Sequence, residues 1–149
     1  NGFLFSRVTP YPGWVAFEKE ALRLWDVHCR IAQPSEIQRL GLRFINQIPL
    51  DERGQIGHYF TLPVQSPEGL PLPGDFLHKD LFEFKGYNYI AQVTRAKQGA
   101  QLILDIDVAS KAAFQYVQSE LMRMLAEMRW IKNKVFFGSI KPAALKELK

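Results

Sequence analysis

The hydrophobic positions of the chain form two helical stripes, with strand-like runs before, between and after them. Between Gly13 and about Ala32, apolar side chains recur at steps of three and four residues, the spacing of one helix face. A longer stripe of the same kind runs from Lys111 to about Phe137. Ser110, just before it, is a residue type that favours the helix N-cap. The pattern therefore predicts two amphipathic helices, of which the second is long.

Alternation of apolar and polar side chains predicts the strands. They cover residues 2–9, 36–49, 55–64, 81–97 and 100–108. The last two are separated by a tight turn at Gln98-Gly99, so they form an antiparallel hairpin.

Two connections complete the predicted order of elements. Residues 51–54 form a turn, and residues 63–80, rich in proline and glycine, form a long loop of unassigned function. Short connections between consecutive strands favour an antiparallel sheet. We therefore expect a single α+β domain over residues 1–149, with two helices on one sheet face and the C-terminal helix the longer. One form of this architecture is the helix-grip arrangement, in which the sheet curls around the helix and leaves a cavity.

Composition is that of an ordinary globular chain. It has 149 residues, 47% of them hydrophobic and 23% charged, which excludes a wholly disordered protein. No apolar run approaches the roughly 20 residues that span a bilayer, so we expect no membrane partner. The single cysteine, Cys29, cannot form an internal disulfide and predicts a reducing, cytoplasmic location. The absence of an initiating methionine and of a signal peptide predicts the C-terminal part of a longer cytoplasmic protein.

The net charge of +4 lies at the C-terminal end. Residues 1–122 carry 12 basic and 13 acidic side chains, whereas residues 123–149 carry 7 and 2. Such a segment suits an acidic partner or a nucleic acid, but it also suits the C-terminal end of a helix, where cations stabilise the macrodipole. No nucleic-acid motif frames these residues, so the second interpretation is favoured and no nucleic-acid partner is expected.

The polar face of the predicted sheet holds the candidate ligand-binding residues. They are Arg39, Arg43, Gln92, Asp105 and Asp107. The two arginines suit an anion-binding groove, although four residues of strand separate them by about 13 Å. The favoured alternative is cross-strand Arg–Asp pairing. The two aspartates are also a weak candidate for acid–base or metal chemistry, which would need further ligands that the sequence does not supply.

Motifs of the common enzyme classes are absent from the sequence. It contains no glycine-rich phosphate loop, paired-cysteine motif, zinc-binding histidine motif or nucleophile elbow. We therefore assign no catalytic residue, no metal ligand and no cofactor. The aromatic residues of the two helices, Trp14, Trp25 and Trp130 among them, are expected to pack in the core or at an interface rather than to line a ligand box.

The run from Arg39 to Ile48 resembles the signature of a sporadically distributed bacterial family of uncharacterised proteins, R-[IVL]-G-[LV]-R-[YF]-[IV]-N-x-I. The helix entry at Tyr11 to Phe17, the strand Leu104-Asp105-Ile106-Asp107 and the closing helix from Leu125 to Ile140 agree with it. Arg129-Trp130 stands where many members have a leucine–histidine pair. The resemblance implies a C-terminal domain of a longer protein and carries no activity.

Three functions follow as hypotheses. The first is a non-catalytic interaction or regulatory domain that associates with itself or with the N-terminal part of its own longer protein. The second is a small-molecule site in a cavity between the sheet and the C-terminal helix. The third is an enzyme that uses Arg39, Arg43, Asp105 and Asp107 on the sheet face.

Overall fold

The computed structural model describes residues 2–8, 10–50, 56–62, 66–71 and 73–146. The helices are α1 (Trp14–Ala32), α2 (Ile56–Tyr59), α3 (Gln118–Ser139) and α4 (Pro142–Leu145). The strands are β1 (Glu36–Ile37), β2 (Gly41–Pro49), β3 (Phe76–Glu83), β4 (Tyr89–Gln98), β5 (Gln101–Ser110) and β6 (Phe114–Gln115).

Four strands form an antiparallel sheet in the order β2-β5-β4-β3, and β1 pairs with β6 in a separate two-stranded ladder. The α+β class, the antiparallel sheet and the long C-terminal helix are thus confirmed. Helix α3 packs across β5, β2 and β4. Helix α1 reaches the same face through its first turn, where Trp14 and Phe17 pack on Phe44 of β2.

The face of the sheet under α3, here called the inner face, forms the hydrophobic core. Its central side chains alternate with outward-facing ones along each strand and are almost fully buried; they include Leu42, Ile48, Val93, Leu102, Leu104, Ile106 and Val108. Asn46 is a polar residue on this apolar face. Its Nδ2 donates a hydrogen bond to the carbonyl oxygen of Leu104 at 2.9 Å, which satisfies the amide within the sheet.

The long strand predicted over residues 81–97 is wrong, because the chain reverses inside it. A turn joins β3 to β4: the amide of Tyr87 donates to the carbonyl of Phe84 at 3.0 Å, and Gly86 has φ of +85°. A positive φ at the third position of a turn is the geometry that glycine adopts without strain. The predicted loop over residues 63–80 is correspondingly wrong from Phe76 onward, where β3 begins.

Ser110 is not the N-cap of the long helix. It ends β5, and its Oγ accepts a hydrogen bond from the amide of Leu40 at 3.0 Å. The next residues pair instead with β1, so α3 begins only at Gln118. The sequence between Ser110 and Gln118 has helical spacing, but a ladder with a distant segment forms instead of a helix, since Phe114 pairs with Ile37, 77 residues earlier in the chain.

Two further predicted strands are absent from the described residues. Residues 2–8 contain no strand, and Phe3 packs instead against Trp25 of α1. Residues 56–59, predicted as strand, form α2, after which Phe60 makes a single bridge to Ile140. The predicted turn at residues 51–54 lies outside the described residues.

Candidate functional site

All five candidate residues of the polar sheet face lie on the same side of the sheet. This side, opposite to α3, is called the outer face. In the register of the strands, Arg43 of β2 stands opposite Asp107 of β5, and Gln92 of β4 stands on the other side of Asp107. Asp105 lies one row further along β5, opposite Ile45. The structure therefore brings together the residues that strand alternation had placed on one surface.

The two arginines bind the two aspartates in separate pairs. Arg43 donates from Nε and Nη2 to the two carboxylate oxygens of Asp105, at 2.9 and 2.6 Å. Arg39, in the segment before β2, donates from Nη2 to Asp107 at 3.0 Å. Cross-strand pairing, the favoured interpretation of the sequence, is what the structure shows.

Gly41 gives Arg39 its path to Asp107. A Cβ atom at position 41 would lie 2.8 Å from Nη1 of Arg39, closer than carbon and nitrogen approach without displacement. The guanidinium therefore lies across the glycine. Arg39 therefore fills the space that Gly41 leaves between the two arginines, and this space does not form an anion-binding groove.

Solvent exposure differs sharply between the arginine and the aspartate of each ion pair. The side chains of Arg39 and Arg43 are 59% and 58% exposed, whereas those of Asp107 and Asp105 are 24% and 12% exposed. The hydrogen bonds to Asp105 raise the pKa of Arg43 above its ordinary value. Solvent therefore meets guanidinium groups, while the carboxylates beneath them hold them in place.

The outer face also carries exposed apolar side chains, which were not among the candidate ligand-binding residues. Ile45 on β2 and Leu77 and Leu81 on β3 are all exposed. Ile45 is two residues from Arg43 on β2, so strand alternation places it on this face. Leu77 belongs to the part of β3 that was predicted as a loop. Gln92 lies between these groups, and within the described residues its amide makes no side-chain hydrogen bond.

A second concave site lies between the start of β4 and the first turns of α3. Its volume is about 270 Å³. The buried phenol of Tyr89 donates to Glu127 Oε2 at 2.6 Å, and Arg123 binds both Glu127 and Glu120. Burial and the neighbouring carboxylate of Glu127 raise the pKa of Tyr89 well above its ordinary value. The cleft lies between the sheet and the C-terminal helix, and four of its polar side chains, Tyr89, Glu120, Arg123 and Glu127, are paired with one another.

Two features are absent from the described ranges. No group of three or more histidine, cysteine, aspartate or glutamate side chains stands together there as a metal ion would require. Nor does any helix in those ranges have the length and apolar character needed to cross a membrane.

Comparison of the chain with models of known protein families, with curated proteins and with solved structures gives no match. The resemblance of the Arg39–Ile48 run to a bacterial family of uncharacterised proteins therefore stays a prediction.

Proposed function

We propose that this domain is a non-catalytic protein-interaction module and that the outer face is its interface. The observation that carries the proposal is the composition of that face. Two arginines, each bound to a largely covered carboxylate, share this face with the exposed Ile45, Leu77 and Leu81. Arginine and apolar side chains on one surface are characteristic of protein interfaces, and fixed side chains lose little conformational entropy on binding.

The partner that best fits this face is a protein surface with apolar side chains bordered by carboxylates. Arg39 uses only Nη2 on Asp107, and Arg43 uses Nε and Nη2 on Asp105. The remaining N–H groups of both guanidiniums are available as donors. Ile45 on β2 and Leu81 on β3 add exposed apolar side chains to the same face. Carboxylates accept such hydrogen bonds most strongly.

The same geometry disfavours an enzyme that uses this face. General acid–base catalysis needs a carboxyl group that can exchange a proton with the substrate. Asp105 and Asp107 are each engaged by an arginine, and both are largely covered. Neither carboxylate is presented to a substrate.

The test is affinity capture with the whole chain as bait, followed by binding measurements with each purified candidate partner. We expect Leu81→Asp and Ile45→Asp to lower the affinity for a specific partner at least tenfold, because each places a charge in the apolar part of the interface. Val27→Asp, on exposed α1 surface, is the matched control and should bind as the unmodified chain does. Equal binding by all three variants would contradict the proposal. A dimer that Leu81→Asp dissociates would show that a second copy occupies the face instead.

A second candidate function, small-molecule binding, is favoured by the cleft of about 270 Å³ between β4 and α3. Its volume is slightly below the range of roughly 300–1,000 Å³ that ligand pockets usually have. A thermal-shift screen of polar small molecules tests it. A stabilising compound should lose its effect in Glu127→Gln, which alters the centre of the cleft, and keep its effect in the outer-face variant Leu81→Asp.

The location of the protein forms part of the same proposal. With Cys29 as the single cysteine, we propose a bacterial, cytoplasmic protein, as the sequence and its resemblance to the bacterial family predict.

A further inference from the structure

The second half of α3 carries three cations that each stand over an aromatic ring. Arg129 Cζ lies 5.2 Å from the ring centroid of Trp14, and Lys132 Nζ lies 4.3 Å from that of Phe44. Lys134 Nζ lies 5.1 Å from the ring of Trp130 on the same helix. Distances below about 6 Å are those of cation–π contacts, which hold a charged group at a fixed position.

These cations have no carboxylate within 4 Å in the part of the chain that the structure describes. Arg123, less than two turns earlier on α3, shows the usual arrangement, since it binds both Glu120 and Glu127. The arginines of β2 and of the segment before it are likewise paired with aspartates. Within α3, Arg123 is thus paired with carboxylates, whereas the three later cations are not.

Arg129 and Lys132 form the closest part of this group. They are three residues apart on α3, a spacing that puts both side chains on one helix face. Their rings also belong together, because the centroids of Trp14 and Phe44 lie 6.3 Å apart. Tyr11 completes the wall, with its ring 6.0 Å from that of Phe44. Two cations are thus held side by side against an aromatic wall formed by Tyr11, Trp14 and Phe44.

Such an arrangement is electrostatically unfavourable until an anion joins it. Lys132 is half-buried, and its pKa is lowered by that burial and by the neighbouring charge of Arg129. The positive charge of Arg129 also reaches the phenol of Tyr11. Burial raises the pKa of Tyr11, and the charge of Arg129 acts against that rise. An anion bound between the two cations would relieve the repulsion and recover the missing hydrogen bonds.

We propose that Arg129 and Lys132 form a binding site for an oxyanion, the carboxylate or phosphate group of a ligand. The guanidinium of Arg129 supplies paired N–H donors and the ammonium of Lys132 supplies a point charge, which together match a group with two or three equivalent oxygens. The rings of Tyr11 and Trp14 border the site and suit a ligand with an apolar or planar part next to its anionic group. This site lies beside the inner face of the sheet, so it is separate from the proposed protein interface.

The experiment is an NMR titration of the whole chain with inorganic phosphate and, separately, with acetate, each compared with chloride at equal ionic strength. The resonances to follow are the indole N–H of Trp14 and the guanidinium N–H of Arg129. We expect saturable shifts with one or both oxyanions and not with chloride. A response to phosphate alone assigns a phosphate ligand, and a response to acetate assigns a carboxylate ligand.

Variants establish the site. Lys132→Met and Arg129→Gln should each weaken oxyanion binding about tenfold or more, as expected when one charged hydrogen bond is lost. Lys85→Gln removes the same unit of charge from the exposed turn between β3 and β4 and should leave the affinity unchanged. If Lys132→Met fails to fold, Arg129→Gln carries the test, because Arg129 is exposed. Shifts that do not saturate, or that persist equally in both site variants, would overturn the proposal.

Discussion

The guanidinium of Arg43 reaches past Asp107, its direct neighbour across the sheet, and binds the carboxylate of Asp105 one row further along β5. Asp107 is left to Arg39, which lies outside the strand. The two pairs therefore interlock on the outer face, and each arginine is held by an aspartate that is itself shielded from solvent. This arrangement fixes the positions of the two guanidinium groups that the proposed interface uses.

The coupling between Arg43 and Asp105 should be measurable in stability. We expect a double-mutant cycle with Arg43→Ala and Asp105→Ala to give a coupling free energy of about 0.5–1 kcal/mol, since the arginine is exposed and solvent screens it. Chemical denaturation of the four proteins measures it. The exposed pair Arg30–Asp26 on α1 serves as the control and should give no more than about 0.5 kcal/mol. A coupling for Arg43 and Asp105 no larger than in the control would contradict the prediction.

Gly41→Ala should detach Arg39 from Asp107. The new methyl group would take the place now occupied by Nη1 of Arg39, and because that group ends a flexible side chain, the free energy of unfolding should fall by less than about 1 kcal/mol. In the Gly41→Ala background, Arg39→Ala should then have no further effect on stability. Gly138→Ala is the contrasting control. It lies inside α3 with open space around it, so it should stabilise the protein by about 0.5–1 kcal/mol.

Tyr89 should make the protein sensitive to alkaline pH. Because its pKa in the folded chain is raised above the ordinary value of 10.0, the unfolded chain loses the phenol proton first as pH rises. Its contribution to stability is therefore complete below about pH 10, and above that the free energy of unfolding should fall by about 1.4 kcal/mol per pH unit from this group. Denaturation at a series of pH values measures the slope.

Tyr89→Phe should remove that slope. In a titration followed by phenolate absorbance, this variant should show one fewer tyrosine that ionises at high pH. Glu127→Gln keeps the buried phenol but removes the negative charge beside it, which lowers the pKa of the folded Tyr89. The slope should therefore begin at the same pH, which the unfolded chain sets, and end at a lower pH than in the unmodified chain. An unchanged alkaline slope in Tyr89→Phe would show that the phenol does not stay protonated as the structure implies.

The elements that local periodicity determines were predictable from the sequence, and those that depend on distant pairing were not. Helix α1 and the returning strand β5 have strong spacing patterns, and both were found close to their observed bounds. Strand β6 has two residues, and only its ladder with β1 distinguishes it from the start of the following helix. The turn at Gly86 was missed because alternation continues on both sides of it, so the position of the reversal depends on one glycine.

The candidate site was predictable as a surface but not as a set of contacts. Alternation along β2 and β5 placed Arg43 and Asp105 on one face. It could not show that their pairing is diagonal, because this depends on strand register and on the space left at Gly41. The cation pair Arg129 and Lys132 was visible only as part of a basic segment. Its contacts with Trp14 and Phe44 join residues more than 80 positions apart, which no local pattern reports.

Lys132→Met should stabilise the protein near neutral pH in the absence of ligand. The lowered pKa of Lys132 means that the folded chain binds its proton less tightly than the unfolded chain does, so the charge opposes folding wherever the folded lysine is protonated. The opposition disappears above the ordinary pKa of 10.5, where neither state holds the proton. Methionine has similar length and keeps the contact with the ring of Phe44 without the charge. We therefore expect a gain of a few tenths of a kcal/mol at neutral pH, limited by the half-exposed position and by the lost cation–π contact, and a smaller gain as pH approaches 10.5.

Lys134→Met, at an exposed position on the same helix, is the control and should change stability little. A clear loss of stability in Lys132→Met at neutral pH would mean that the chain already provides Lys132 with a favourable partner, and the argument for an external anion would lose its electrostatic basis.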